Sequence, residues 1–189
     1  MKTLYSFDFD DTLFFTPKPE QGKDVFKRET GLDWPYNGWW GKSETIDPSI
    51  FNIPKNEWVY RKYLEATADD NGYKILATGR LNKVEKMREH VYQILRENNI
   101  EFDELMVIPK TEKYPVNGEN GVYLNWGGDT YKFKTKLFES LIKLTKCEHF
   151  IMYDDRQEHL KRFREWAKEQ NVKITIVDVL NKKERIFNK

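Results

Sequence analysis

Apolar and polar positions follow two periods along this chain. Five short runs rich in β-branched and aromatic residues read as strands, at 3–7, 73–77, 104–108, 149–153 and 173–177. Helical spacing fills most of the intervals between them. From Asn82, with Glu85 three residues on as a capping partner, Val84, Met87, Val91, Ile94 and Leu95 share one face. From Phe133, the positions Leu137, Phe138, Leu141, Ile142 and Leu144 form a second stripe, and after Arg156 a third runs through Leu160, Phe163, Trp166 and Ala167. A shorter helix-like stretch covers 56 to about 68. Strands alternating with helices predict an α/β fold whose mainly parallel sheet is covered on both faces.

Two regions break the alternation. Residues 16–56 carry Pro17, Pro19, Trp34, Pro35, Gly38, Trp39, Trp40 and Gly41, and read as an irregular insertion within a single 1–189 domain. Residues 109–129, with Pro109, Pro115, Gly118, Gly121, Gly127 and Gly128, read as a long loop or short hairpin. The mostly polar stretch 181–189 is expected to fray.

Charge excludes little. The 32 Lys and Arg against 31 Asp and Glu give a formal charge of +1, so no global basic field argues for nucleic acid. A single cysteine, Cys147, rules out an internal disulfide and a multi-cysteine zinc site. An acid at Asp8 interrupts any signal-peptide core, and no run approaches the ~20 apolar residues that span a bilayer. A soluble, cytoplasmic protein is expected.

The chemistry lies at the strand ends. In an open α/β sheet, side chains at the carboxyl ends of strands converge on one crevice. The first strand ends in Asp8-Phe9-Asp10-Asp11-Thr12, the second in Thr78-Gly79-Arg80 and the fourth in Asp154-Asp155. Carboxylates gathered in one crevice repel each other, and a hard divalent cation such as Mg²⁺ relieves that cost. The same ion neutralises phosphate oxygens during displacement at phosphorus.

These residues resemble the four motifs of the haloacid dehalogenase (HAD) superfamily of phosphotransferases. The first is matched by Asp8-Phe9-Asp10-Asp11-Thr12, the second by Thr78, the third by Lys134 near a helix start, and the fourth by Asp154-Asp155. The resemblance implies a Rossmann-like sheet of strand order 5-4-1-2-3 and a Mg²⁺-dependent phosphatase. It implies Asp8 as nucleophile, forming an aspartyl-phosphate, and Asp10 as general acid and base whose backbone carbonyl also binds Mg²⁺. Thr78 would hold the phosphoryl group, Lys134 would balance its charge, and Asp154 with Asp155 would complete the metal site. Lys132 and Lys136 remain open as alternatives to Lys134.

A narrower similarity rests on Trp34-Pro35, Trp39-Trp40, Thr78-Gly79-Arg80, Thr130 with Phe133-Lys134, and Tyr153-Asp154-Asp155-Arg156 followed by His159 and Phe163. Together they resemble the HAD branch called Swiss Army Knife RNA repair-like, although that branch's familiar fourth motif reads Glu-Asp-Arg. Membership implies phosphate removal from an RNA or DNA end, the partner expected here. The alternatives are a small-molecule phosphatase, acting on a nucleotide or sugar phosphate, and a binding module with a relic site. Gly79, Arg80 and Arg156 are candidate substrate contacts, the two arginines equally able to pair with crevice acids. Trp34, Trp39 and Trp40 form either a local core or a stacking surface. Asp11 is expected in a loop, His90 in a structural or exposed position, and His159 at the surface. Neither interval between the motifs encloses a full cap domain, which favours a crevice open to large substrates.

Overall fold

The computed structural model describes residues 2–81, 84–108, 113–114, 122–123 and 129–188. Strand β1 (Thr3–Phe7) lies at the centre of a six-stranded sheet, with β2 (Gly72–Leu81) and then β3 (Glu104–Ile108) on one side. On its other side lie β6 (His149–Asp154), β7 (Lys173–Asp178) and β8 (Lys183–Phe187). All neighbours are parallel except β7 and β8, which are antiparallel. The five strands read from the sequence therefore take the implied order, and β8 is added at the edge. The small pair β4 (Lys113–Tyr114) and β5 (Val122–Tyr123) forms a separate antiparallel hairpin. The prolines and glycines at 109, 115, 118, 121, 127 and 128 lie outside the described residues.

Alternation along the strands divides the core into two layers. Phe7, Leu76, Tyr153 and Val177 pack into one cluster with Phe26 of α1 (Pro19–Thr30), Val59 and Tyr63 of α2 (Glu57–Thr67), and Met87 and Val91 of α3 (Met87–Glu97). Their neighbours Leu4, Ile75, Phe150, Met152, Ile174 and Ile176 face the opposite cluster. That layer is built on Phe133 and Leu137 of α4 (Thr130–Thr145) and Leu160 and Phe163 of α5 (Gln157–Lys168).

Three expectations need correction. Residues 16–56 are not wholly irregular: Pro19 opens α1, Gly31 closes it at φ 74°, and a 3-10 turn follows at Ser43–Ile46. Within 181–189, expected to fray, residues 183–187 form a paired strand. Asp178 accepts the Asn181 backbone N–H (3.1 Å) and side-chain amide (3.0 Å), turning the chain so that 183–187 pair with β7. Finally, α3 begins at Met87 behind Lys86, which sits at φ 60°, later than the cap expected at Asn82, which lies outside the described residues. No described helix is long and apolar enough to cross a membrane.

Candidate active site

β1 ends one residue before Asp8, whose backbone N–H still pairs with the Tyr153 carbonyl of β6 (3.1 Å). The chain then folds back: Leu13 N–H reaches the Asp8 carbonyl (3.3 Å), Phe14 N–H the Phe9 carbonyl (3.1 Å), and Asp11 takes a left-handed φ of 55°. This tight loop aims Asp8 at the end of β6, where Asp154 and Asp155 follow from Tyr153. One oxygen from each of Asp8, Asp154 and Asp155 lies within 4.8 Å of the others. An all-oxygen set at this spacing fits a hard divalent cation.

Lys134 enters from the opposite layer. Asp129 caps α4 by accepting the Tyr131 (2.9 Å) and Lys132 (3.3 Å) backbone N–H groups. The helical period then places Thr130 and Lys134 on the same face, toward the crevice. Lys134 is 2% exposed, with Nζ 2.7 Å from Asp154 Oδ2 and 3.1 Å from Asp8 Oδ1. Lys132 and Lys136 are exposed. Burial alone would lower the lysine's pKa, but Asp154 and Asp8 outweigh it and the net shift is upward. Asp8 moves up in turn, because burial and the neighbouring acids exceed the pull of Lys134. Asp155 is pushed up to about 6, by burial first and then by Asp154 and Asp11. Three carboxyls face one ammonium, and the upward shifts of Asp8 and Asp155 show that this crevice disfavours their ionised forms.

Asp10 belongs to a different pairing. Arg80 Nε and Nη2 grip its two oxygens at 3.0 and 2.6 Å, and the Thr16 hydroxyl donates at 2.8 Å. Burial would raise this carboxyl, yet Arg80 and then Thr16 bring it below its ordinary value. The remaining nitrogen of Arg80, Nη1, donates to Thr45 Oγ1 (2.6 Å) and to the Trp40 carbonyl (3.1 Å). Arg80 is thus held by Asp10 and the insertion, the acid pairing that was one of the two roles expected of it. Pairing with a crevice acid was open to it from the sequence, but its ties to Thr45 and Trp40, distant in sequence, leave no local signal.

The cavity above these groups measures about 410 Å³ and is walled by Asp8, Asp10, Trp40, Gly79, Lys134, Asp155, Arg156 and His159, among others. Residues 29–187 match the model of HAD domain family 1 in Swiss Army Knife RNA repair proteins. The chain belongs to this family. No curated protein and no solved structure matched the chain. The matched span of this HAD domain begins after Asp8 and Asp10, so their place in the site rests on the geometry.

The other expected residues distribute unevenly. Thr78 is fully buried inside β2, which runs on to Leu81, and its Oγ1 accepts the Arg80 N–H (3.2 Å). Gly79 lies against Thr130, whose methyl would stand 3.2 Å from an added Cβ. Arg156 reaches the cavity wall, while its backbone N–H bonds to Asp154 Oδ1 (3.0 Å) at the start of α5. Asp155 accepts from Thr12 Oγ1 (3.4 Å). The tryptophans divide: Trp34 and Trp39 (centroids 4.6 Å apart) join Phe26 and Phe51 in a local core, whereas Trp40, 45% exposed, stands at the cavity mouth. Asp11 pairs with Lys18 in the loop. His159 is buried in the wall rather than at the surface.

Proposed function

We propose that this HAD domain is a Mg²⁺-dependent phosphomonoester hydrolase acting through an aspartyl-phosphate on Asp8, with a nucleic-acid end as substrate. The observation that carries the reading is the convergence of Asp8, Asp154 and Asp155 around the ammonium of Lys134. Asp8, Asp154 and Asp155 would hold the ion, whose charge would favour their ionised forms and whose chemistry is to neutralise phosphate oxygens.

Asp8 Oδ attacks phosphorus while the bond to the leaving oxygen breaks, and Asp10, ionised at rest under the pull of Arg80, takes up a proton from solvent and passes it to that oxygen. Asp10, ionised again beside Arg80, then takes a proton from the water that attacks phosphorus. The acyl-phosphate P–O bond breaks, inorganic phosphate leaves and Asp8 is regenerated. Lys134 offsets charge on Asp8 and on the transferring group throughout. Arg80 fixes Asp10 and, through Thr45 and Trp40, ties that carboxylate to the insertion.

The family's occurrence in RNA repair proteins supports the nucleic-acid end, as does the exposed indole of Trp40 at the cavity mouth, a surface on which a base can stack. The test is hydrolysis of p-nitrophenyl phosphate and of a phosphorylated oligonucleotide by the purified chain. Turnover is expected with Mg²⁺ and is lost with chelator or with Asp8→Asn. A strong preference for mononucleotides over the oligonucleotide would overturn the substrate assignment.

A further inference from the structure

His159 lies in the first turn of α5, three residues beyond Arg156, and has no task in the chemistry above. It is 7% exposed. Its ring stands edge-on to Phe163 (centroids 6.1 Å, 89°) and tilted against Tyr131 (6.2 Å, 56°), contacts that fix its orientation. The chain has three histidines, and the other two are tied down: His90 Nδ1 lies 3.0 Å from the Ser43 carbonyl and His149 Nε2 2.8 Å from Thr175 Oγ1. Neither ring nitrogen of His159 has a hydrogen-bond partner among the described residues. The ring is largely buried, but its nitrogens are not among the polar atoms sealed from solvent, so a partner can reach them from the cavity.

Its position indicates what that partner is. His159 lines both the cavity holding Asp8 and an adjoining groove of about 640 Å³, where Asp129, Thr130, Arg156, Lys161 and Arg162 form the walls. It therefore stands where the leaving group of a phosphoester passes from the reacting centre into the groove. Burial, ahead of the charges around it, pulls its pKa down to about 4, so the ring is neutral at neutral pH. A neutral imidazole offers one N–H donor and one acceptor. Phosphate oxygens can use only the donor, whereas a hydroxyl can satisfy either nitrogen. The groove itself offers little surplus positive charge to a second phosphate: Arg162 faces Asp129 (3.6 Å) and Arg156 faces Glu158 (3.9 Å).

Resting on the phosphatase reading, we propose that His159 is a specificity-determining residue that hydrogen-bonds a hydroxyl beside the esterified carbon of the leaving group. The preferred leaving group is then a sugar with a vicinal hydroxyl, as at a ribonucleotide end, rather than its deoxy counterpart. A site built to bond a hydroxyl rejects the analogue that leaves its buried polar group unpaired.

The experiment compares kcat/KM for a ribonucleoside 3′-phosphate and its 2′-deoxy analogue in the wild type, His159→Phe and His159→Gln, with p-nitrophenyl phosphate as a third substrate. The wild type is expected to favour the ribo substrate by about tenfold, the worth of one hydrogen bond. His159→Phe keeps a ring against Phe163 and brings the ratio to about one, while His159→Gln, which still donates and accepts, keeps part of the preference. If His159→Phe does not fold, loss of part of the ratio in His159→Gln alone carries the test. A wild-type ratio near one with both substrates turned over, or an unchanged ratio in the variants, overturns the assignment and leaves the phosphatase reading standing. A wild type inert toward all three esters overturns both.

Discussion

Lys134 and Arg80 hold two halves of one acidic site, and their loss should have different consequences. Lys134→Met keeps length and burial but leaves Asp8 and Asp154 without their cation. A fall in kcat of about a hundredfold or more is expected in steady-state assays, as for loss of a preorganised charge in other sites. Arg80→Ala strands the Asp10 carboxylate, and a destabilisation of roughly 3 kcal/mol in urea unfolding is expected, the lower end for a broken buried pair because Asp10 keeps some exposure. His159 gives a pH signature. Between about pH 6.5 and about 4 the unfolded chain takes up a proton that the folded imidazole refuses, so this group removes stability as pH falls through that window. Unfolding curves for His159→Gln should therefore lose less stability than the wild type between pH 7 and pH 4.5; parallel curves would contradict the buried, neutral ring. Lys132 and Lys136 stay open beside Lys134 until the buried face is known, since residues two apart lie about 200° apart around a helix. The distance of four from Thr130, with Phe133 and Leu137 turned to the core, is what separates them.

At the level of elements, legibility followed burial. Strands buried on both faces, such as β1 and β7, announce themselves by runs like 3–7 and 173–177, because every position must be apolar or small. β8 does not: Lys183-Glu184-Arg185 lies on a sheet edge, where charge is tolerated and pairing is dictated by the turn at Asp178 and Asn181. α1 was hidden in the same way, its exposed faces polar and only Phe26 and Gly22 buried. Pro19 and Gly31 were the available signals. Gly22 has a specific reason to be small, since an added Cβ would collide with the Trp39 ring, which is held by its Nε1 donating to the Pro17 carbonyl (2.8 Å). Gly22→Ala should thus destabilise the protein by about 1–3 kcal/mol in thermal melts despite alanine's better helix propensity. A stabilised variant would show that Trp39 yields freely.

Across the whole molecule, three chain segments far apart in sequence meet at one end of the parallel sheet and bring their acids to one crevice. The crevice was legible because parallel topology sends the ends of β1, β2 and β6 to a common rim. The ties of Arg80 to Thr45 and Trp40 and the seat of His159 were not, since both depend on how the insertion and α5 pack against that rim. Mg²⁺ should raise the melting temperature of chelator-treated protein, by the equivalent of about 2.7 kcal/mol at a hundredfold excess over Kd. Asp155→Asn should shrink that rise, and a wild type indifferent to Mg²⁺ would argue against the three acids as its ligands.

The central claim is that Asp8 takes the phosphoryl group onto its own oxygen, and acid-quenched turnover followed by peptide mass mapping tests it most directly. With Mg²⁺ and p-nitrophenyl phosphate, a phosphoryl adduct should appear on the peptide bearing Asp8 and be absent with chelator. An adduct on another residue, or undiminished turnover by Asp8→Asn, would contradict the account.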